Sequence, residues 1–286
     1  MLLCRFPLGI IPFLAFFISC QNGDVLEVES RYSELRIAII GDSISTFEGY
    51  TPSNKVGYNG IAYKYYYPAG DVISVENTWW YKVACSLGVG LENIANCSWS
   101  GSFVTGNSSS TTNAFAGCSS KRVIDLSYNG LDPDIVICFI SCNDWANNVP
   151  LGSWSVTDSF PQDGKISTMR EAYALMINKV HIFYPEAFVV CLTNLVDSKR
   201  DRTPGYPSNN SKGITVEEWN NSIKEISSAL GCYTIDLQEA GINYGNISLF
   251  SVDNGLHPND EGMTLIANKV SLVLDKLLRD ILIDNL

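Results

Sequence analysis

Short apolar segments rich in β-branched residues recur along this chain, without the polar alternation of strands that have one solvent-exposed face. They occupy residues 36–41, 91–98, 134–141, 187–194 and 232–237. Strands buried on both faces of a parallel sheet have this pattern. Helical patterns follow these segments at residues 76–88, 119–128, 167–184, 215–230 and 260–283. In the fourth of them, Thr215 and Glu218 form a capping-box signature, and Gly231 marks the end of the helix.

Strands that alternate with helices favour one architecture over the others. The sequence predicts an α/β fold, a three-layer α/β/α sandwich around a central, mostly parallel five-stranded sheet. In such folds the ligand site lies at the carboxyl ends of the strands. We therefore look for functional residues directly after the predicted strands.

The composition is that of one folded domain. The chain has 286 residues, of which 46% are hydrophobic and 17% charged, so it can bury a substantial core. The net charge of -11 leaves no basic surface to neutralise a phosphate backbone. We expect no nucleic-acid partner.

The N-terminal segment is typical of an export signal. Arg5 precedes the apolar run 6–19, which ends in a small residue followed by Cys20, and the run is short for a membrane span. This order resembles a bacterial lipoprotein signal, which implies lipidation of Cys20 and a location in the cell envelope, facing the periplasm or the surface. We expect a signal at 1–19, a flexible tether at 20–33 and the folded domain at 34–286, with membrane contact only through the lipid. A plain secretory signal or a short anchor is the alternative.

Cysteine and histidine usage argues against a disulfide framework and against a metal centre. Of nine cysteines, Cys4 would be lost with the signal and Cys20 acylated, which leaves an odd number. Cys97 and Cys118 bracket a Ser-rich loop, and their pairing stays open. The chain has two histidines and no closely spaced ligand set, so we expect neither zinc nor any other metal or cofactor.

Polar residues follow three of the predicted strands. The first strand runs into Gly41-Asp42-Ser43, which places a hydroxyl at the carboxyl edge of the sheet. Asn143 follows the third strand, and its carboxamide could donate a hydrogen bond to a developing oxyanion. Gly101 follows the second strand, and the lack of a side chain lets its amide approach the same oxygen. The amides of Ser43 and Gly101 and the side chain of Asn143 would then converge.

The two histidines differ in their surroundings. His181 lies inside a helical pattern without polar motifs and is interpreted as a structural or surface residue. His257 lies in the polar segment 253–259, immediately before the last helix. A neutral imidazole near Ser43 could take its proton as a general base.

Together these residues resemble the SGNH (GDSL) hydrolase family of esterases and lipases. The family's four blocks occur in the family's order, at 41–43, 101, 141–144 and 257. The resemblance implies that residues 34–286 form a catalytic domain of this fold. It also implies Ser43 as nucleophile, Gly101 and Asn143 as oxyanion-hole donors, and His257 as base.

Two positions depart from the family pattern. Ser141 replaces the glycine of the usual Gly-x-Asn-Asp block. The last block is usually Asp-x-x-His, but Asn254 stands three residues before His257 and Asp253 stands four before it. Asp253 could orient the imidazole through a bulge, Asn254 could do so as a neutral acceptor, or a backbone carbonyl could. We favour Asp253 slightly over Asn254.

The resulting hypothesis is an exported serine esterase that removes acyl groups from an acylated small molecule or glycan. Export and aromatic loops at 44–75 and 145–166 favour acetyl groups on carbohydrate. A lipid or thioester substrate is the main alternative. A non-catalytic glycan-binding lipoprotein is a second alternative, and a thiol enzyme built on Cys142 and His257 is a remote third.

Overall fold

A computed structural model of the protein describes residues 32–51, 65–127, 130–196, 209–253 and 255–284. Seven strands are present in this part of the chain: β1 (Ile37–Gly41), β2 (Ile94–Asn96), β3 (Gly106–Asn107), β4 (Ile135–Phe139), β5 (Lys165–Ile166), β6 (Phe188–Leu192) and β7 (Tyr233–Ile235). Five of them form one sheet in the order β2-β1-β4-β6-β7, and every pairing in it is parallel. The predicted five-stranded parallel sheet is therefore confirmed.

The described helices cover both faces of this sheet. They are α1 (Trp79–Leu87), α2 (Ser120–Ile124), α3 (Cys142–Ala146), α4 (Met169–Phe183), α5 (Val216–Ala229) and α6 (Asp260–Asp284). α1 packs against α6, while α4 packs against both α2 and α5. The two helix groups lie over separate apolar cores, which confirms the three-layer α/β/α architecture.

Alternate side chains of each central strand enter opposite cores. In β1, Ile37 and Ile39 contribute to the core beneath α1 and α6, whereas Ala38 and Ile40 contribute to the core beneath α4 and α5. All four are buried. Since neither face of the strand meets water, an unbroken apolar run is the pattern such a strand requires.

The predicted helix signals agree with the local geometry at α5. The Thr215 hydroxyl accepts a hydrogen bond from the Glu218 amide at 3.0 Å, and the Glu218 carboxylate accepts one from the Thr215 amide at 2.8 Å. Gly231 follows the helix with a φ of 71°, a conformation that glycine adopts at little cost. Both ends of α5 are therefore specified by its own sequence.

Three short elements differ from the sequence expectation. The predicted strand 91–98 begins as a 3-10 turn at Leu91–Asn93, and β2 keeps only three residues. The antiparallel ribbon of β3 and β5 and the five-residue helix α3 are additional. Elements this short carry too few residues for a recognisable hydrophobic period.

Some predictions fall on residues that the structure does not describe. The signal at 1–19, including Cys4, and nearly all of the tether at 20–33, including Cys20, lie outside the described residues, as does Asn254. Cys97 and Cys118 are described and are not joined by a disulfide. The Cys97 thiol instead donates to the Asp125 carbonyl at 2.9 Å.

Neither a membrane-spanning helix nor a metal-binding cluster is present in the described ranges. No helix there is both long enough and apolar enough to cross a bilayer. No cluster of three or more His, Cys, Asp or Glu side chains in those ranges could hold a metal ion.

Ser141 connects β4 to α3 in a conformation unusual for a residue with a side chain. Its φ is +108°, in the region where the family's glycine would carry no steric penalty. The Ser141 hydroxyl is buried and accepts a hydrogen bond from the Trp219 indole at 3.0 Å. A serine at this position therefore carries the steric cost of a positive φ. In return, its hydroxyl is the hydrogen-bond acceptor for the buried Trp219 indole.

We predict that Ser141→Ala is less stable than Ser141→Gly. Both substitutions leave the buried Trp219 donor without its acceptor, which costs about 1–3 kcal/mol. Alanine also keeps the left-handed strain, worth about 1 kcal/mol, that glycine relieves. Urea unfolding of the wild type and both variants measures the order. An alanine variant equal to or more stable than the glycine variant contradicts the prediction.

Candidate functional site

The end of β1 forms a tight turn that presents Ser43. The Asp42 carboxylate accepts a hydrogen bond from the Ile44 amide at 3.2 Å, and Ser43–Ser45 forms one turn of 3-10 helix. A Cβ on Gly41 would lie 2.4 Å from the Ser98 hydroxyl, so this position has no room for a side chain. The turn is thus set by the Gly-Asp-Ser sequence itself.

Side chains from two other elements hold this turn in place. The Trp80 indole donates to the Ser45 carbonyl at 3.1 Å, and the Asn96 amide donates to the same carbonyl at 2.9 Å. The Trp79 indole donates to the Ser45 hydroxyl at 3.1 Å. Because α1 and β2 both bind the turn, Ser43 is carried on rigid backbone.

Ser43, His257 and Asp253 form a continuous hydrogen-bonded chain, here called the triad. The Nε2 atom of His257 lies 2.8 Å from the Ser43 Oγ, and its Nδ1 lies 2.7 Å from the Asp253 Oδ2. Ser43 and His257 expose only 5% and 7% of their surfaces. These contacts fit an imidazole that carries its proton on Nδ1 and accepts the serine proton at Nε2.

The loop before α6 brings the acid to the imidazole despite the unusual spacing. The Val252 amide donates to the His257 carbonyl at 2.8 Å, which closes the loop. The Asp253 Oδ1 accepts hydrogen bonds from the Leu256 and His257 amides at 3.1 and 2.9 Å. This leaves Oδ2 directed at the ring. Of the three acceptors that the sequence left open, the favoured one, Asp253, lies at the imidazole, while Asn254 is outside the described residues.

Two backbone amides near the serine have no acceptor among the described residues, those of Ser43 and Gly101. Gly101 has a φ of +74°, and a Cβ built on it meets nothing within 4 Å. The glycine is thus needed for the backbone conformation rather than for close packing inside the protein. The open space beside it is available to a ligand.

Asn143 reaches the same loop from the first turn of α3. Its Nδ2 donates to the Ser102 carbonyl at 3.0 Å, and the side chain is buried. This bond fixes the carboxamide against the segment that carries Gly101. The structure therefore brings the loop after β2 and the turn after β4 together at the carboxyl edge, on either side of β1.

Asp144, the next residue, binds the backbone of the same loop. Its carboxylate accepts the Val104 amide at 2.8 Å, the Thr105 amide at 3.1 Å and the Thr105 hydroxyl at 2.7 Å. Burial raises the pKa of Asp144 to about 6, although these hydrogen bonds oppose the shift. The role of Asp144 is to hold the loop rather than to meet a substrate.

Sequence reasoning missed Arg122, a fully buried residue of α2. Its guanidinium donates to the carbonyls of Gly41 and of Ala114, and it lies 6.0 Å from the Trp99 ring centroid. Burial lowers the pKa of Arg122 to about 10. The residue links the end of β1 to the loop 98–118. No motif signals it, since its partners are backbone carbonyls that any residue supplies.

Cys142 contacts the nucleophile turn rather than the imidazole. Its thiol donates to the Asp42 Oδ2 at 3.0 Å, while Nε2 of His257 faces Ser43. Burial raises the pKa of Asp42, and the bonds from Cys142 and the Ile44 amide counteract part of that shift. This arrangement does not fit the remote alternative of a thiol enzyme that uses Cys142 and His257.

The remaining candidates occupy structural positions. His181 lies on α4 with its Nε2 3.6 Å from the Cys232 thiol, and burial lowers its pKa. Trp145 and Trp154, which the aromatic loop 145–166 supplies, are both buried in the core. In the other aromatic loop, Tyr50 is 45% exposed, whereas Tyr67 is fully buried.

The residues of the site lie within a region that matches a known family. A family model described as GDSL-like lipase/acylhydrolase matches residues 35–274. The chain belongs to the GDSL-like lipase/acylhydrolase family. No match is found among curated proteins.

Solved structures share the family's fold. A protein described as a GDSL-like lipase from Bacteroides ovatus is 24% identical, with 85% of this chain and 99% of that chain covered and a TM-score of 0.56. A similarly described protein from Bacteroides uniformis gives 24% identity, 85% and 96% coverage and a TM-score of 0.57. A protein described as a possible lipase from Chitinophaga pinensis gives 18% identity, 85% and 99% coverage and a TM-score of 0.53. At this identity the likeness shows a common fold.

Proposed function

We propose that the protein is an exported serine esterase that hydrolyses acetyl or similarly short acyl esters, with acylated carbohydrate as the substrate class. The observation that carries the proposal is the unbroken hydrogen bonding from Asp253 through His257 to the Ser43 hydroxyl. A serine paired with an imidazole that a carboxylate orients is the arrangement acyl transfer requires.

In the acylation step, the Ser43 Oγ attacks the ester carbonyl carbon while Nε2 of His257 takes the hydroxyl proton. Asp253 stabilises the imidazolium that forms, without itself becoming protonated. The carbonyl oxygen becomes an oxyanion, for which the amides of Ser43 and Gly101 and the Asn143 carboxamide are the donors. His257 then returns its proton to the departing alcohol, and the acyl group stays on Ser43.

Water completes the cycle from the acyl-enzyme. His257 removes a proton from a water molecule, whose oxygen attacks the acyl carbon and forms a second oxyanion in the same place. Collapse of this intermediate breaks the bond to the Ser43 Oγ, which recovers its proton from His257. The products are a carboxylic acid and the free hydroxyl of the substrate.

The carbohydrate part of the proposal is supported by aromatic side chains beside the site and by the charge of the chain. Tyr50 is exposed, and Tyr65 and Tyr66 are partly exposed, in the loop that follows the nucleophile turn. Aromatic faces beside an active site suit the apolar faces of sugar rings. The acidic balance of the chain disfavours an anionic lipid surface as the substrate.

Two alternatives predict different outcomes. A lipase or thioesterase would prefer long acyl chains. A non-catalytic glycan-binding protein would have no need for a triad in hydrogen-bonding geometry, so the contacts at Ser43 and His257 support catalysis over binding alone.

We predict that Asp253→Asn lowers kcat for p-nitrophenyl acetate by about 10²- to 10⁴-fold, because the carboxamide neither fixes the tautomer nor stabilises the imidazolium. Ser43→Ala should remove activity above the uncatalysed rate. Steady-state kinetics of the purified proteins measure both effects.

Asn254→Ala is the matched control for this prediction, since it changes the neighbouring residue that stands at the family's usual acid position. Its kcat should stay within about threefold of the wild type. A large loss in Asn254→Ala together with a small loss in Asp253→Asn would assign the orienting role to Asn254 and contradict the prediction.

We predict that kcat/KM for p-nitrophenyl acetate exceeds that for the octanoate by about tenfold or more, since a site that fits an acetyl group excludes the longer acyl chain. The comparison is made with Ser43→Ala as the blank for each ester. Acetate release from O-acetylated xylan then tests the carbohydrate. A preference for octanoate would move the assignment to the lipase alternative.

Export with a lipid anchor at Cys20 belongs to the same proposal, and its support is the N-terminal sequence. We predict that a bacterium expressing the full chain incorporates labelled palmitate into the wild type and not into Cys20→Ala. Equal labelling of the two proteins contradicts the anchor, and a secreted, unlabelled wild type favours the plain secretory signal.

A further inference from the structure

We propose that Tyr66 is a positioning residue that acts on His257 through its stacked ring, and this inference rests on the proposed esterase function. Its ring lies parallel to the imidazole of His257, with centroids 3.5 Å apart and planes 9° apart. Burial and the charge of Asp253 raise the pKa of its hydroxyl. Tyr66 thus stacks on the base of the triad and interacts electrostatically with its acid.

The backbone of Tyr66 is tied to the turn that carries the nucleophile. The Tyr66 amide donates to the Thr46 hydroxyl at 2.8 Å. The same hydroxyl donates to the Ser43 carbonyl at 2.9 Å. Any displacement of Tyr66 relative to Ser43 therefore breaks a short, part-buried link.

The neighbouring Tyr67 ties the same segment to the loop that carries the base. Its hydroxyl donates to the Pro258 carbonyl at 2.6 Å, and its ring meets the Tyr66 ring edge-on at 4.9 Å. Tyr67 is fully buried. The Tyr66–Tyr67 pair consequently joins the nucleophile turn to the segment after His257. Ser43 and His257 are 214 positions apart along the chain.

The stacked ring has two physical effects on the imidazole. It blocks rotation of the ring out of the plane that joins Ser43 and Asp253, and it keeps water from that face. The negative face of a phenol ring also attracts a cation, so the stack stabilises the imidazolium more than the neutral ring. Because the imidazolium exists only once the serine proton has moved, this contact favours the transition state over the ground state.

The hydroxyl of Tyr66 interacts electrostatically with the carboxylate. Burial and the Asp253 charge raise the pKa of Tyr66 to about 12. The phenol therefore stays protonated throughout the range in which an esterase works and remains a donor. The Leu256 and His257 amides on Oδ1 already orient Asp253, so the positioning effect of Tyr66 is assigned to its ring.

The test separates the ring from the hydroxyl. Tyr66→Phe keeps the stack and should retain kcat for p-nitrophenyl acetate within about threefold. Tyr66→Leu removes the stack and should lower kcat by about 10- to 30-fold, with KM within about twofold. Tyr233→Leu is the control, since Tyr233 is an exposed tyrosine at the amino end of β7, opposite the sheet edge that carries the triad, and it should match the wild type.

Proton NMR of the full chain gives a second readout, which a general loss of folding would not imitate. The sequence has only two histidines, so His181→Gln assigns the imidazole C–H signals. A ring stacked on His257 shields these protons. The signals should move downfield in Tyr66→Leu and stay in place in Tyr66→Phe, while the His181 signals should not change in either variant.

The outcomes distinguish this inference from the function on which it rests. Reaction of Ser43 with an aryl fluorophosphonate, in which the Oγ–P bond forms, fluoride leaves and His257 takes the proton, should slow in Tyr66→Leu by the same factor as kcat. Wild-type kcat in Tyr66→Leu, or a raised KM with unchanged kcat, overturns the positioning role alone. A wild type with neither ester hydrolysis nor labelling above Ser43→Ala overturns the proposed function and this inference with it.

Discussion

The parallel register of the central sheet is the constraint on which the site depends. Gly41 of β1 and Phe139 of β4 are register partners at the carboxyl edge. Ser43 stands two residues beyond the first, and Asn143 stands four residues beyond the second. Since β2 pairs with β1 in the same direction, the loop that carries Gly101 starts from the same edge. The sheet alone therefore brings three chain segments with no sequence proximity to the same edge, where side-chain contacts then join them.

Buried charges then fix what the sheet edge only brings near. Arg122 donates to the carbonyls of Gly41 and Ala114, and Asp144 accepts from the Val104 and Thr105 amides. An unpaired charge in such a place would cost several kcal/mol, about as much as the whole domain can lose. The backbone groups that bind each charge are consequently held in place, because moving them would leave the charge unpaired. The long loop 98–118 gains its order from these two residues, because it has little regular structure of its own.

The sequence was informative wherever one local signal determined the structure. Continuous apolar runs predicted all five strands of the sheet, and the capping box located α5. The turns after β1 and β4 were predicted from single polar residues at the strand ends. Arg122 and the stacking of Tyr66 on His257 could not be read in this way. Both depend on contacts between segments far apart in the chain, and the aromatic content of the loop suited a sugar-binding surface equally well. The group that orients His257 was only partly predictable from the sequence, since a one-residue shift left Asp253, Asn254 and a backbone carbonyl all possible.

The loop geometry explains why a one-residue shift of the acid is compatible with the triad. An aspartate has two carboxylate oxygens, and in Asp253 they have separate tasks: Oδ1 accepts the Leu256 and His257 amides, and Oδ2 meets the imidazole. The first task is a local turn that the backbone of the loop supplies. The loop between Asp253 and His257, which is one residue longer than in the family pattern, thus orients the acid itself. The imidazole consequently meets a carboxylate oxygen in a defined direction. The triad requires that one carboxylate oxygen lie beside Nδ1 of the histidine. A turn that fixes this oxygen meets the requirement whether the acid stands three or four residues before the histidine.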